Sequence, residues 1–273
     1  MIGRNNARTG WLLWIAGFCV LLPIAVVLVW SVTDRWGWPE LIPQAVSLRG
    51  IRELASSGTL RVLWSSILIS AAVALLSVAV GILTARAIVF DPFPGRDWIV
   101  FGSMLPLIVP GTVFGMGIHL IFVRIGLSDT IPGVILVHLI CVLPYSVSIL
   151  TDSTRVVGQK LEEQARVLGA DPLRAFRSVT FPALMPACIS VLAMSYLISF
   201  SQYFLTLLIG GGRVRTFTVL MVPFLQGGDR TLAGAYTSVF LGVTLAVFLV
   251  FHTVTKKWIL PQVSESEKGE VAD

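Results

Sequence analysis

The sequence predicts an all-α integral membrane protein with six transmembrane helices, and three observations carry that prediction. The chain of 273 residues is 55% hydrophobic, with a mean hydropathy of +0.86. Only 13% of its residues are charged, about half the roughly 25% of a soluble domain. The charges are also clustered: residues 9–33, 62–85, 98–123, 130–151, 178–212 and 231–255 contain no Asp, Glu, Lys or Arg. Each stretch reaches the roughly 20 apolar residues that cross about 30 Å of hydrocarbon as a helix.

The first stretch is too long for the apolar core of a signal peptide and lacks a small-x-small cleavage pattern, so it reads as a retained helix. A polar segment, 34–61, follows it and includes Trp38-Pro39 and an amphipathic run, Leu48 to Leu54, that predicts a short surface helix. Asp91-Pro92-Phe93-Pro94-Gly95 reads as a tight turn between the second and third spans. The third span carries Pro106, Pro110, Gly111, Gly115 and Gly117. Small residues four apart let backbones approach closely and proline kinks or breaks a helix, so this span serves either tight packing or a flexible wall. Trp11, Trp14, Trp36, Trp38, Trp64, Trp98 and Trp258 stand near span ends, where indoles prefer the interface. The tail after Pro261 is polar.

The net charge of +5 follows orientation rather than nucleic acid, because the cations sit in short loops beside spans. With both termini in the cytoplasm, the N-terminus, loops 86–97 and 152–177 and the tail hold 12 of the 20 Lys and Arg residues. Cys19, Cys141 and Cys188 lie in or beside apolar spans without metal-ligand spacing and read as small buried hydrophobes.

Loop 152–177 and its approach to the fifth span carry the chemistry. From Thr151 to Pro182 the chain reads TDSTRVVGQKLEEQARVLGADPLRAFRSVTFP. Leu161, Ala165 and Leu168 share one helical face, while Glu162, Glu163 and Arg166 project elsewhere. Gly169 stands where a helix C-terminus takes a left-handed residue. After Ala170, Asp171-Pro172 supplies a capping residue and a proline at the first helical position. Leu173, Phe176 and Val179 form a second apolar stripe. The prediction is a short helix, a glycine turn and a second short helix ending near Pro182.

This segment resembles the EAA loop of the ABC importer permeases, Glu-Ala-Ala-x3-Gly-x9-Ile-x-Leu-Pro. The matching positions here are Glu163, Gln164 and Ala165, then Gly169, then Val179, Phe181 and Pro182, with the spacing kept throughout. Gln164 replaces the first alanine, and Val179 and Phe181 are apolar substitutes. The likeness extends from Ser47-Leu48 through the second span and over the fifth. It implies a five-helix permease core over residues 60–256, containing the coupling loop 152–182. Residues 1–59 would add an N-terminal helix with its periplasmic loop, and residues 257–273 a cytoplasmic tail. The resemblance also implies a multi-pass protein of the bacterial inner membrane, with both termini cytoplasmic. Its partners would be two ATP-binding subunits, a second permease, a periplasmic or lipoprotein solute-binding protein and membrane lipid. Coupling would fall to Glu162, Glu163, Gln164, Ala165, Leu168, Gly169, Ala170, Asp171 and Pro182.

The chain's own chemistry is that of a non-catalytic subunit. It has no G-x-x-x-x-G-K-[ST] loop, so ATP and Mg belong to its partners, and it contains neither H-E-x-x-H nor G-x-S-x-G. A secondary transporter or channel is the rival reading, but coupled carriers place charge within their spans, and the six apolar stretches hold none. The fifth span is the most polar at depth, with Ser195, Ser199, Ser201, Gln202 and Tyr203. Ser199, Gln202 and Tyr203, with His138 and Tyr145 of the fourth span, are the candidates for lining a translocation path. Hydrogen bonding between helices is the alternative role for each. This region resembles the polyamine-type branch, although Ser201-Gln202 stands where polyamine permeases often carry acidic residues. The expected substrate is a small polar, polyamine-like solute.

Overall fold

Helix dominates because a chain this apolar must satisfy its backbone hydrogen bonds within each segment. The computed structural model describes residues 6–36, 40 and 43–270; Trp38 and the side chain of Trp258 fall outside that description. The elements in order are α1 (Asn6–Trp30), a minimal hairpin β1 (Thr33–Arg35) and β2 (Ala45–Val46), α2 (Arg49–Leu54), α3 (Ser57–Phe90), α4 (Arg96–Ile108) and α5 (Gly111–Arg124). They continue with α6 (Ile131–Val157), α7 (Lys160–Val167), α8 (Pro172–Ala175), a π-helical turn (Phe176–Thr180), α9 (Phe181–Ser201), α10 (Phe204–Gly210), α11 (Phe217–Gln226) and α12 (Arg230–Glu270). Among the described residues, five helices are long and apolar enough to cross a membrane, and α4 with α5 makes a sixth if the bent pair counts as one span.

Of the kink or break that proline predicts for the third span, the chain takes the break: α4 and α5 meet at 113°. Val109 is extended there (φ −81°, ψ 132°), as the ring of the following Pro110 requires, and Pro110 offers no N–H to carry the ladder on. One expectation is corrected: the predicted second short helix is not separate. From Pro172 the chain runs through the π turn into α9 without a break, giving a 30-residue helical rod to Ser201. Proline at 182 would clash with the carbonyl four residues back in a regular helix. The Phe181 amide instead reaches back five residues to the Phe176 carbonyl, and this wider turn makes room for the ring.

The chain forms two compact units. One comprises residues 1–62 and 220–243. Within it, β1 pairs antiparallel with β2, and Arg49 bridges Asp229 at 2.7 Å. Thr59 Oγ1 lies 3.1 Å from the Tyr236 hydroxyl, and the Tyr236 ring stacks on Phe224 at 4.9 Å. The Thr231 hydroxyl donates to the Thr33 carbonyl, and the Arg230 guanidinium donates to that of Trp36.

The other unit comprises residues 63–219 and 244–273, with α6 at its centre packed on α4, α9 and α10. One apolar cluster gathers Ile69, Phe122, Val134, Val137, Leu205, Ile209 and Val214; a second holds Ile82, Ala85, Leu150, Leu184, Cys188 and Val191. Between them three serines meet: Ser77 Oγ lies 2.8 Å from Ser195 Oγ, which is 3.4 Å from Ser146 Oγ. Small side chains let α3, α6 and α9 approach closely here. A Cβ at Gly81 would stand 2.7 Å from Leu150 Cδ1 and 3.3 Å from Ser146 Cβ. Gly81→Val is therefore expected to cost about 1–3 kcal/mol of overpacking. Thermal unfolding of the purified chain in mild detergent checks this, and an unchanged midpoint would contradict the close α3–α6 contact.

Candidate functional site

Two places in the larger unit concentrate polar side chains, and each lies at a helix end. The first surrounds α7. This helix has only eight residues, too few to be stable alone in water. It is held by Glu162, which is buried at 7% exposure. Arg86, in the last turns of α3, donates to both carboxylate oxygens at 2.8 and 3.0 Å, and Thr180 Oγ1 of the π turn donates at 2.8 Å. The Arg86 guanidinium also lies over the rings of Phe90 and Phe176, at 5.3 and 4.9 Å. Such cation–ring contacts strengthen when shielded from water.

The opposite face of α7 is open. Leu168 and Val167 are 88% and 87% exposed, and Leu161 is half exposed. Glu163 and Gln164 are exposed beside them, and Ala165 is half-buried. Lys160, Glu163, Gln164, Val167 and Leu168 line a shallow concavity on this face. Gly169 then turns the chain at φ +94°, a conformation that favours glycine. Asp171, after the half-buried Ala170, caps α8 by accepting from the Arg174 amide at 3.3 Å. Pro182 follows the π turn at the head of α9.

The second place is a break in the fifth span. The helix stops at Ser201, Gln202 is extended (ψ 110°), and α10 begins at Phe204. The Gln202 carbonyl accepts from Thr206 Oγ1 at 2.8 Å and from Thr218 Oγ1 at 3.0 Å. His138, buried on α6, lies 2.9 Å from both Ser199 Oγ and Thr206 Oγ1. Gln202 and Tyr203 are half-buried, as is Tyr145, two turns after His138 on α6. The structure thus brings His138, Ser199 and Gln202 into one network. Tyr203 adjoins the break through the backbone.

The profile of the binding-protein-dependent transport system inner membrane component family matches residues 77–265, which is more than half of the chain. The chain belongs to this family. These permeases include PhnV of Salmonella typhi, assigned to 2-aminoethylphosphonate transport, which is 24% identical over 86% of this chain and 90% of its own length. The molybdate/tungstate permease WtpB of Pyrococcus abyssi is 25% identical, over 71% of this chain and 77% of its own. The putrescine permease PotI of Escherichia coli K12 is also 25% identical, over 70% and 71%. The crystal structure of a bacterial ABC transporter that imports alginate shares the fold, with a TM-score of 0.74 at 18% identity, covering 95% of this chain and 99% of that one. The polyamine branch is thus one relative among several.

Within this binding-protein-dependent permease, sequence reasoning missed Arg86 and Thr180. Arg86 is the first cation after the second span and reads there as an orientation signal; nothing local ties it to a carboxylate 76 residues later. Thr206 and Thr218 were missed for the same reason. The Glu162 carboxyl is held below the ordinary carboxylate range, first by the hydrogen bond from Arg86; the Thr180 hydroxyl and the charges of Arg86 and Arg166 act in the same direction, against desolvation. A depressed carboxyl stabilises the fold above its unfolded pKa, and that contribution is lost as pH falls through the folded value. The gap in melting temperature between the parent and Glu162→Gln is therefore expected to be widest near neutral pH and to narrow as pH falls below the ordinary glutamate value of about 4.3. A gap that stays constant down the acid range would show that the pair does not hold α7.

Proposed function

We propose that this chain is one of two membrane-spanning subunits of an ATP-driven importer in a bacterial inner membrane. Two ATP-binding subunits, which carry the ATP and Mg, meet it at α7, and a solute-binding protein delivers substrate to the opposite face. The observation that carries this reading is the two-sided character of α7. One face is exposed and apolar around Leu161, Val167 and Leu168, with Glu163 beside it; the other is bolted through Glu162 to Arg86 on α3 and Thr180 below α9. A helix built this way can seat in a groove on a moving partner and pass displacement to two spans at once. Alternating access by rigid-body rocking needs such a rigid link.

Both termini are cytoplasmic in this reading, on the side of α7. Substrate passes the broken fifth span, where the half-buried Gln202, Tyr203 and Tyr145 offer neutral polar groups backed by the buried Ser199 and His138. A discontinuous helix at membrane depth is supported where it lines a cavity or is buried in protein. The substrate is a small polar solute. With no charged side chain at the break, selection between a polyamine-like cation and an oxyanion or phosphonate falls to the binding protein.

The direct test is to solubilise the tagged chain from its own membrane and identify what comes with it. An ATPase with a phosphate-binding loop, together with a second permease, establishes the importer. A chain recovered alone, even with ATP trapped, makes it a passive channel or secondary carrier instead. Glu163→Lys reverses charge on the docking face, and Gly169→Val places a β-branched residue at positive φ. Each is expected to lower uptake about tenfold or more with membrane insertion unchanged. Parental uptake by both variants would remove α7 from the coupling role.

A further inference from the structure

The break in the fifth span has no local cause: residues 199–206 read SFSQYFLT, without proline or glycine. Something outside the segment must hold it open, and His138 is placed to do so. It projects from α6, is 1% exposed, and reaches Ser199 on α9 with one ring nitrogen and Thr206 on α10 with the other, both at 2.9 Å.

The hydrogens can be assigned. The Thr206 hydroxyl has one proton, which it donates to the Gln202 carbonyl at 2.8 Å. Toward His138 it can therefore only accept, so Nε2 carries the ring proton. In the neutral ring Nδ1 is then the acceptor, and Ser199 Oγ donates to it. The result is a continuous chain, Ser199 to His138 to Thr206 to the carbonyl that the break leaves without a helical partner. Thr218 closes the same carbonyl from the other side. Both imidazole nitrogens are consumed, leaving none to meet a passing solute.

We propose that His138 is a positioning residue that fixes the angle of the fifth span by bridging its two halves, and does not itself contact the transported solute. That this angle matters for transport rests on the reading that the break lies on the path; the bridge itself does not.

Two measurements test it. Spin labels at the exposed positions Ser190→Cys on α9 and Leu207→Cys on α10, in a chain with the native cysteines replaced by alanine, report the geometry across the break by pulsed dipolar spectroscopy. A single narrow distance is expected in the parent and in His138→Gln, which keeps one donor and one acceptor, and a broadened or shifted one in His138→Leu. In the assembled transporter, uptake should fall about tenfold in His138→Leu, with ATPase association retained, and recover to within about threefold in His138→Gln. Ser199→Ala or Thr206→Val added to His138→Leu should lower uptake by less than about twofold more, because the members act as one unit. If His138→Leu does not accumulate, Thr206→Val, which keeps the buried shape, carries the distance measurement. An unchanged distance in the bond-deleting variant overturns the bridge, and losses that multiply overturn its action as a unit. A parent chain that recruits no ATPase and takes up nothing refutes the importer instead, while the spin-label distances still decide on His138.

Discussion

Two charges taken out of water repel burial unless their geometry is good and their remaining hydrogen-bonding capacity is filled, and the Arg86–Glu162 pair meets both conditions. Both carboxylate oxygens receive a guanidinium N–H, a threonine hydroxyl adds a third bond, and the cation lies over two phenyl rings. Among the described residues of α7, Glu162 is the one that is buried. The exposure of the helix's apolar face depends on this pairing, because the carboxylate that points inward sets which side chains point out. Glu162 and Glu163 are consecutive in sequence and opposite in placement: one is buried against Arg86 and Thr180, the other is exposed.

The two helix breaks show how the bilayer constrains irregular backbone. A carbonyl without a partner at membrane depth costs several kcal/mol. At Val109-Pro110 the residue that starts the break also removes an N–H, so the number of unmet groups is small. At Gln202 no such economy exists, and hydroxyls from α10 and from Thr218 are brought in to close the freed carbonyl.

That contrast marks what the sequence could reveal. The uncharged stretches expose the spans, because charge is excluded from hydrocarbon whatever the fold. Gly169, Asp171 and Pro172 expose the turn after α7, because each has a conformational preference that acts locally. The bend at Pro110 is legible as a break, but its angle is not. The break at Gln202, the inward turn of Glu162 and the roles of Arg86, Thr206 and Thr218 are invisible, since each is decided by a residue distant in the chain. Substrate chemistry is illegible for another reason: relatives named for phosphonate, oxyanion and putrescine transport align with this chain at similar identity, so likeness alone singles out none of them.

The π turn at Phe176–Thr180 acts as a phase adjuster between the membrane rod and what lies before it. A regular helix turns about 100° per residue, and a π turn holds one residue more than an α turn would. Loss of a single residue from this stretch would return the rod to α-helical register and swing everything upstream by about that angle. Thr180 would rotate away from Glu162, and the open face of α7 would be aimed elsewhere. The length of this short stretch, more than its composition, therefore sets the direction in which the exposed face of α7 points.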